Sequence, residues 1–419
     1  MDWRIAGNLR LHGPLNLDAL RRAIQELVNR HDALRTTINH AQPSQTVHSQ
    51  LSIPVTLVDL TDSAGKLPDS ALTEWLAEEI ARPFDLWNGP LMRVHLLKLE
   101  AESHLLSLAI HHIITDGWST GIILEELAAL YAAECQGNVA KLPTPHQYHE
   151  FVQWQALGSE AMSNHERYWL AQFRDGFPIA ELPTDYVRPS QKSYRGDRYD
   201  TRLDAEFYSQ VKAAARRQRA TLFMTLLSAH GLLLHHLTGQ AELVIGTPTA
   251  GRSFAHSERM VGYCTHFLPM RSRLTSNMTI ATYLAALKKT VLAAYKHQDY
   301  PFARLLKQLK ERYASNSFPA LTTIFNLDQA VHFPDLFELR TEVVPSPVNF
   351  ALVDYRLDVV EVGGELWLNY EYSTDLFDEG TIARWHEGFH YVLEQLLANP
   401  EQSALALRMP AETREGKSV

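Results

Sequence analysis

The sequence predicts a mixed α/β fold that is divided into two lobes. The chain has 419 residues, more than one hydrophobic core usually serves, so two bodies of roughly 200 residues are expected. Apolar runs of strand length alternate along the chain with segments of helical periodicity. Apolar residues make up 45% of the chain and charged residues 21%, which is an ordinary globular balance.

In the first half of the chain, strands and helices are predicted to alternate. Asn16 can cap a helix because the apolar residues that follow it have helical spacing. Asp116-Gly117 is predicted as a turn between a buried strand and a long helix. The predicted strands are 5–12, 53–58, 91–99 and 103–112, and the helices begin at Asn16, near residue 70 and at Ser119 or Thr120.

The second half is predicted to be mixed as well, and Gly363-Gly364 is expected to close a hairpin. Proline and glycine are frequent in residues 176–198, which favours a connection between lobes. The predicted elements are a helix-rich region at 205–237, strands at 241–248, 320–327, 355–361 and 365–372, and helices at 279–297 and 379–397. We expect an N-terminal lobe over 1–170, a C-terminal lobe over 171–400 and, over 401–419, a polar tail whose composition favours disorder.

Charge and cysteine content exclude several classes of function. The net charge is −9 and no run of five like charges occurs, which argues against a nucleic-acid surface. The two cysteines, Cys135 and Cys264, cannot build a disulfide framework, so a reducing, cytoplasmic compartment is expected. No secretory signal and no apolar window of membrane-spanning length is found, so no membrane partner is expected.

The stretch IHHIITDGWS at 110–119 contains the most specific chemical pattern, HHxxxDG. A chance match to its four fixed positions is expected in only about 0.003 chains of this length. His112 stands where an apolar strand meets a loop, a position at which functional residues concentrate. It could act as a base towards an amine or hydroxyl nucleophile, and amide groups near Gly117 could stabilise an oxyanion. The alternative is that His111 and His112 are ordinary core histidines.

Several further blocks stand in a fixed order around this pattern, and together they resemble the condensation domains of nonribosomal peptide synthetases. These domains belong to the chloramphenicol-acetyltransferase-like superfamily, and the resemblance covers about residues 5–400. The blocks are RHDALRTTI (30–38), PFDLWNGPLMR (83–93), IHHIITDGWS (110–119), YHEFVQW (148–154), IGTPTAGR (245–252), VGYCTHFLPMR (261–271), HQDYPFARL (297–305) and SNSFPALTTIFN (315–326).

The resemblance implies two similar lobes in a V arrangement, with the active site in a tunnel at their junction. Donor and acceptor peptidyl carrier proteins, or an acyl carrier protein as donor, would deliver thioesters on phosphopantetheine arms. The acceptor amine would attack the donor thioester and form an amide during antibiotic or other secondary-metabolite biosynthesis. The domain itself would bind no cofactor or metal, and its neighbours would be other synthetase domains.

The resemblance also assigns roles to single residues. His112 matches the catalytic histidine, and His111 is expected to be structural. Asp116 matches a structural aspartate that pairs with an arginine, here Arg252, and Gly117 lets the loop approach the thioester. The residues expected to line the substrate tunnel are Trp118, Ser119, Cys264, His266 and Asn326.

The sequence departs from the family pattern at two places. The first motif, a helix with an SxAQxRLW pattern, is not present, and the chain begins near the family's first strand. In the fifth motif, residues 264–267 read Cys-Thr-His-Phe where Phe-Val-Asn-Thr is usual, which could alter substrate choice. DGWS favours condensation over epimerisation, whose pattern is DGVSW.

Four other interpretations compete with amide formation. HEGFH at 386–390 matches the zinc-protease pattern HExxH, but it is about twenty times less specific than HHxxxDG and no clear third ligand follows. HQYHE at 146–150 could be a metal pair. The chain could also be a non-catalytic module that docks carriers or recruits an enzyme, or a free-standing acyltransferase. The intact HHxxxDG argues against the first of these two, and a missing DFGWG block argues against the second.

Overall fold

The computed structural model describes residues 4–40, 44–61, 70–156, 160–253, 255–313, 321–329 and 334–410. The mixed α/β fold class is confirmed. The strands are β1 Arg4–His12, β2 Thr36–Ile38, β3 Gln45–Val47, β4 Val55–Asp59, β5 Met92–Glu100, β6 Ser103–His111, β7 Gly196–Leu203, β8 Glu242–Thr249, β9 His266–Arg273, β10 Thr323–Gln329, β11 Arg340–Val343, β12 Tyr355–Val362 and β13 Glu365–Ser373. The helices are α1 Leu17–Arg30, α2 Ala71–Ala81, α3 Gly117–Cys135, α4 Tyr148–Ala156, α5 Glu160–Gln172, α6 Ala205–Arg217, α7 Leu222–Thr238, α8 Ile280–Lys296, α9 Phe302–Tyr313 and α10 Glu379–Ala398.

The chain forms two compact units, and each contains segments from both halves of the sequence. The first unit consists of Met1–Gly158, Ala250–Thr265 and Val331–Pro347. The second unit consists of Ser159–Thr249, His266–Ala330 and Val348–Val419. The units therefore do not follow the expected boundary at residue 170, which falls within α5.

A five-stranded sheet in the order β11-β1-β6-β5-β4 forms the centre of the first unit. Strand β6 is buried along almost its whole length because it is central and covered on both faces, which explains its continuous apolar sequence. Strand β11 joins this sheet by pairing antiparallel with β1, with Val343 opposite Leu9. This pairing across more than 300 residues is why the segment 331–347 belongs to the first unit.

Helices α1 and α3 pack against each other in the first unit, and a buried charged cluster joins them. Glu126 of α3 accepts a hydrogen bond from Arg30 Nε at 2.9 Å, and its Oε2 lies 2.9 Å from His31 Nε2. Burial alone would raise the pKa of Glu126, but the hydrogen bonds from His31 and Arg30 outweigh it and lower that pKa. The RHDALRTTI motif therefore holds the helix that follows HHxxxDG in place.

The second unit contains a six-stranded sheet in the order β7-β13-β12-β10-β8-β9. Its three central strands, β12, β10 and β8, pair parallel, and the outer strands pair antiparallel. One face packs against helices α6, α7, α8 and α10 through a large apolar core. Residues of this core include Phe325, Tyr355, Tyr370, Trp385 and Phe389.

Most predicted elements are present, including the capped helix at Asn16 and the hairpin closed at Gly363-Gly364. Three predictions differ from the structure. Residues 176–198 lie within the second unit, not between units. Part of the expected tail packs into the core, where Ala404 and Leu407 are buried because they face its apolar side; residues 411–419 lie outside the described residues. The third difference is the N-cap of α3: the sequence predicts Ser119 or Thr120 at this position, and the structure has Asp116.

Within the described ranges, no single helix combines the length and apolar character needed to cross a membrane. A bent pair, Ala205–Arg217 with Leu222–Thr238, meets the criterion only when the two helices are counted together. These helices contribute to the core of the second unit.

Candidate active site

The HHxxxDG pattern lies at the end of β6 in the first unit. His111 is the last residue of the strand, His112 begins a short 3-10 turn, and α3 starts at Gly117. His111 is buried and its backbone N–H donates to the Leu91 carbonyl oxygen at 2.9 Å. Its Nδ1 accepts from the backbone N–H of Ile113 at 3.0 Å, and the ring meets the edge of Phe84. His111 is therefore held at the end of β6 by these contacts, and its structural role stays a prediction.

The ring of His112 is only partly buried, in contrast to that of His111. It stands nearly perpendicular to the ring of Tyr263, with centroids 5.2 Å apart. Burial, together with the negative charge of Asp116, raises the pKa of Tyr263, so this phenol keeps its proton. The Tyr263 carbonyl oxygen accepts from the Tyr148 hydroxyl at 2.9 Å, which anchors the backbone beside His112.

Asp116 is fully buried, and its carboxylate accepts hydrogen bonds from three parts of the chain. Oδ1 accepts from the backbone N–H of Ser119 at 2.8 Å, which makes Asp116 the N-cap of α3. Arg252 Nη2 lies 2.8 Å from Oδ1 and 3.0 Å from Oδ2. The backbone N–H of Cys264 donates to Oδ2 at 2.9 Å. The expected pair of Asp116 with Arg252 is thus present, and it is almost completely shielded from water.

Arg252 also fixes the loop that follows it. Its Nη1 donates to the carbonyl oxygens of Ser257 at 3.1 Å and Met260 at 2.5 Å. The side chain is only 6% exposed, so the guanidinium is held by the carboxylate of Asp116 and these carbonyls instead of by water. A single arginine therefore ties the segment 252–264 to the start of α3.

Ser119 and Cys264 are expected to line a substrate tunnel, and this role stays a prediction; their local surroundings are closed. Both residues are fully buried. The hydroxyl of Ser119 lies 2.7 Å from Asp116 Oδ1 and 3.0 Å from the Gly262 carbonyl oxygen, and it accepts from Arg252 and from the Gly262 N–H. Ser119 therefore completes the buried hydrogen-bond network.

Cys264 contributes to the same network only through its backbone. Its side chain packs with Phe151 and Met260 in a small apolar cluster. Burial raises the pKa of the Cys264 thiol to about 12, so it stays protonated and unreactive. The unusual residue of the fifth motif is, in this environment, a small apolar side chain.

Gly117 and Trp118 lie on the exposed side of the α3 N-terminus. A Cβ atom added at Gly117 would meet no heavy atom within 4 Å, so the space beside this glycine is open. Trp118 is half exposed, and its indole N–H donates to the Glu258 carbonyl oxygen at 2.9 Å. The start of α3 thus combines a buried network around Asp116 with accessible surface at Gly117 and Trp118.

Asn326 and His266 belong to the second unit, and their predicted tunnel role stays a prediction. Asn326 lies on β10, is 8% exposed and donates to Asp328 Oδ2 at 2.7 Å. Burial and the neighbouring charge of Asp358 raise the pKa of Asp328. His266 begins β9 opposite Thr249. The rest of the seventh motif, at 315–320, lies outside the described residues.

The HEGFH pattern lies on α10 of the second unit. His386 Nδ1 is 3.0 Å from the Tyr370 hydroxyl, and burial lowers the pKa of His386 to about 4. His390 lies 3.4 Å from Glu394 and stacks on Phe207. Across the described ranges, no three histidine, cysteine or carboxylate side chains are grouped as metal ligands would be.

The HQYHE histidines have separate partners. His146 lies 2.7 Å from Glu150, and His149 lies 3.1 Å from Asp32. Each ring is therefore engaged by a different carboxylate, an arrangement that suits surface hydrogen bonding.

Sequence reasoning missed Tyr263, Tyr148 and Gly262. A Cβ at Gly262 would come within 2.2 Å of the Tyr148 ring, so this glycine is needed for the close packing of α4 on the fifth motif. All three residues stand inside blocks that the sequence identified, but only the folded chain brings Tyr263 against His112 and Tyr148 against Gly262 and Tyr263. The sequence offered one indication of the two tyrosines: the blocks YHEFVQW and VGYCTHFLPMR each contain an aromatic residue, Tyr148 and Tyr263, to which no role had been assigned.

Comparison with known proteins places these features in a family. A family model described as "Condensation domain" matches residues 2–417. Tyrocidine synthase 3 of Brevibacillus parabrevis is 35% identical over 422 residues, which cover 99% of this chain and 6% of that protein. Gramicidin S synthase 2 of Brevibacillus brevis is 35% identical over 407 residues, which cover 95% of this chain and 9% of that protein. The chain thus spans only a small part of the length of these relatives.

Two solved structures have a similar fold. The X-domain in its complex with OxyB from teicoplanin biosynthesis has a TM-score of 0.85 and 25% identity, and the match covers 97% of this chain and 91% of that chain. The condensation domain of the monacolin K polyketide synthase MokA has a TM-score of 0.80 and 20% identity, with coverage of 96% and 94%. With the family model matching almost every residue, the chain belongs to the condensation domain family of nonribosomal peptide synthetases.

Proposed function

We propose that this domain joins a donor acyl or peptidyl thioester to an acceptor aminoacyl thioester by forming an amide bond. Both substrates would be tethered to carrier proteins through phosphopantetheine arms, so the domain itself would need no bound cofactor or metal. The observation that carries the proposal is the position of His112: a partly exposed imidazole whose ring meets Tyr263, the residue between two members of the buried network, Gly262 and Cys264. Such support holds a catalytic side chain in one orientation without occupying it.

In the proposed reaction, the nitrogen of the acceptor amine attacks the donor carbonyl carbon. His112 takes up or orients a proton of that amine during the attack. A C–N bond forms, and the carbonyl oxygen carries the charge of the tetrahedral intermediate. The amide groups in the first turn of α3, at Gly117 and Trp118, are suited to stabilise that charge. The C–S bond then breaks, and the donor carrier leaves as a thiol with the proton lost by the amine.

Tethering explains why few catalytic groups are needed. Two thioesters held in one site react as if at a very high local concentration, which supplies much of the rate enhancement. A single positioned base then increases the reaction rate by a further factor of typically about 10²–10⁴. The open space beside Gly117 is suited to the approach of the donor thioester.

The test is amide formation with both carrier-bound substrates, followed by mass spectrometry of the product. We expect His112→Ala to lower the rate by about 10²–10⁴-fold while the protein keeps its melting temperature. His40→Ala is the matched control because His40 is an exposed histidine of the same unit. A rate for His112→Ala equal to that of wild type contradicts the catalytic role.

A second candidate is a recruiting module that binds another protein without catalysing a reaction. The observation that favours it is the likeness to the X-domain, whose structure was solved in complex with OxyB. The same assay separates the two candidates. Product formation by the wild-type domain above the uncatalysed rate supports amide formation, and no product from any tested pair of loaded carriers favours recruitment.

A further inference from the structure

Six cations cluster on the surface of the second unit where α6, α7 and α8 meet. We refer to them as the basic patch, which consists of Arg216, Arg217, Arg219, Lys288, Lys289 and Lys296. Arg216 and Arg217 end α6, and Arg219 stands in the turn before α7. Lys288 Nζ donates to the Arg219 carbonyl oxygen, which places α8 directly beside this turn.

The basic patch contains no compensating negative charge. The segments 207–223 and 275–298 have no aspartate or glutamate, although the whole chain carries a net charge of −9. In the part of the chain that the structure describes, no carboxylate forms an ion pair with any of the six. Other exposed arginines of this unit are paired, such as Arg202 with Glu365 and Arg195 with Asp375.

Two apolar side chains lie among these cations. Leu292 is 49% exposed and Tyr295 is 37% exposed. They follow Lys288 by four and seven residues, so they share its face of α8. The adjacent face of the helix is buried in the core through Leu287 and Val291. An apolar centre with a charged rim is the composition of a protein interface.

Phe223 connects the basic patch with the interior of the unit. Its ring meets Tyr295 edge-on at 6.3 Å between centroids. It also packs against Phe325 of β10 at 5.7 Å, and Phe325 precedes Asn326, one of the predicted substrate residues. A partner bound at the patch would therefore contact the same packed cluster that supports this strand.

We propose that the basic patch is a docking surface for a carrier protein that presents an acidic face with a small apolar centre. The proposal rests on the proposed function, which requires carriers as partners. Complementary charge increases the rate of encounter and selects the partner, and Leu292 and Tyr295 supply the apolar contact. The net charge of −9 repels an acidic partner overall, so a patch of cations without carboxylates favours one orientation of docking.

The test is charge reversal at the edge of the patch with Arg216→Glu combined with Lys289→Glu. Arg304→Glu combined with Lys307→Glu is the matched control, since both residues are exposed on α9 of the same unit. Binding of each carrier is measured by calorimetry at low and high salt. The KM and kcat for amide formation are measured with the carrier-bound thioester and with a small thioester that lacks the carrier.

We expect the patch variant to weaken binding of one carrier by about ten-fold or more at low salt and to raise its KM by a similar factor. Turnover of the small thioester and the melting temperature should match those of wild type. The control variant should bind both carriers as wild type does. High salt should reduce the difference between wild type and the patch variant.

Unchanged binding of both carriers to the patch variant overturns the docking surface and leaves the proposed function intact. Loss of small-thioester turnover in that variant also contradicts it, because the patch would then act on the reaction itself. Absence of amide formation by the wild type contradicts the proposed function, while calorimetry still tests docking. Weakened binding to anionic vesicles without any change in carrier binding would identify a membrane as the partner and refute the proposal.

Discussion

Replacing Arg252 with methionine should destabilise the first unit strongly. Methionine keeps most of the apolar stem but removes the guanidinium, so the change isolates the charge and the hydrogen bonds. Asp116 would be left fully buried without its cation, and the Ser257 and Met260 carbonyls would lose their donor.

The magnitude follows from the burial of the pair. Asp116 is 0% exposed and the Arg252 side chain 6%, so water cannot replace the lost partner without opening the structure. Removing one member of such a buried pair costs about 3–5 kcal/mol. For a body of about 190 residues, this corresponds to a decrease in melting temperature of roughly 6–20 °C.

Thermal unfolding followed by circular dichroism or calorimetry measures this change, with Arg304→Met as the control. The double variant Asp116→Asn/Arg252→Met provides a second measurement. Its loss in free energy of unfolding should be smaller, by about 0.5–3 kcal/mol, than the sum of the losses in the two single variants. The reason is that the buried charge is removed together with its partner. A melting temperature for Arg252→Met within 1–2 °C or so of the control would refute the reasoning, and strictly additive costs would show that the pair is not coupled.

Three further predictions concern single residues. Ser119→Ala should lower stability by about 1–3 kcal/mol because it leaves the buried Gly262 N–H without its acceptor, and chemical denaturation measures this cost; a cost near zero argues against the network. Gly262→Ala should destabilise far more than Gly117→Ala, since a Cβ at 262 meets the Tyr148 ring whereas one at 117 meets open space; equal melting temperatures contradict this. Burial lowers the pKa of His230 from 6.5 to about 3, so its neutral form stabilises the fold above pH 6.5 and up to about 5 kcal/mol is lost as the pH falls towards 3. His230→Phe should therefore lose less stability than wild type over this range in pH-dependent unfolding experiments, and identical pH profiles would exclude it.

The fold class and the local structure around HHxxxDG could be predicted because both depend on local patterns. The apolar run before His111, the Asp116-Gly117 pair and the apolar periodicity of the next helix predict a strand, a turn and a helix in order. The assignment of Asp116 to a structural role and of Arg252 as its partner came from the family resemblance, and the contact between them is present.

The cap of α3 shows where local reasoning was insufficient. Ser119 and Thr120 are good capping residues by type, but Asp116 takes this position because its carboxylate is already held in place by Arg252 and Cys264. Likewise, Cys264 looked like a substrate residue because its type is unusual in the motif. Its environment is apolar and closed, and only its backbone N–H has a polar partner in the site.

By itself, the sequence determined that a histidine stands at the junction of a buried strand and a helix, and that the surrounding blocks are those of a condensation domain. Only the tertiary structure decided that Asp116, Ser119, Arg252, Gly262 and Cys264 form one buried network, and that β11 joins the sheet of β1. The physical reason is separation along the chain. Periodicity and capping act over a few residues, whereas Asp116 and Arg252 are 136 residues apart and meet only when the chain is packed.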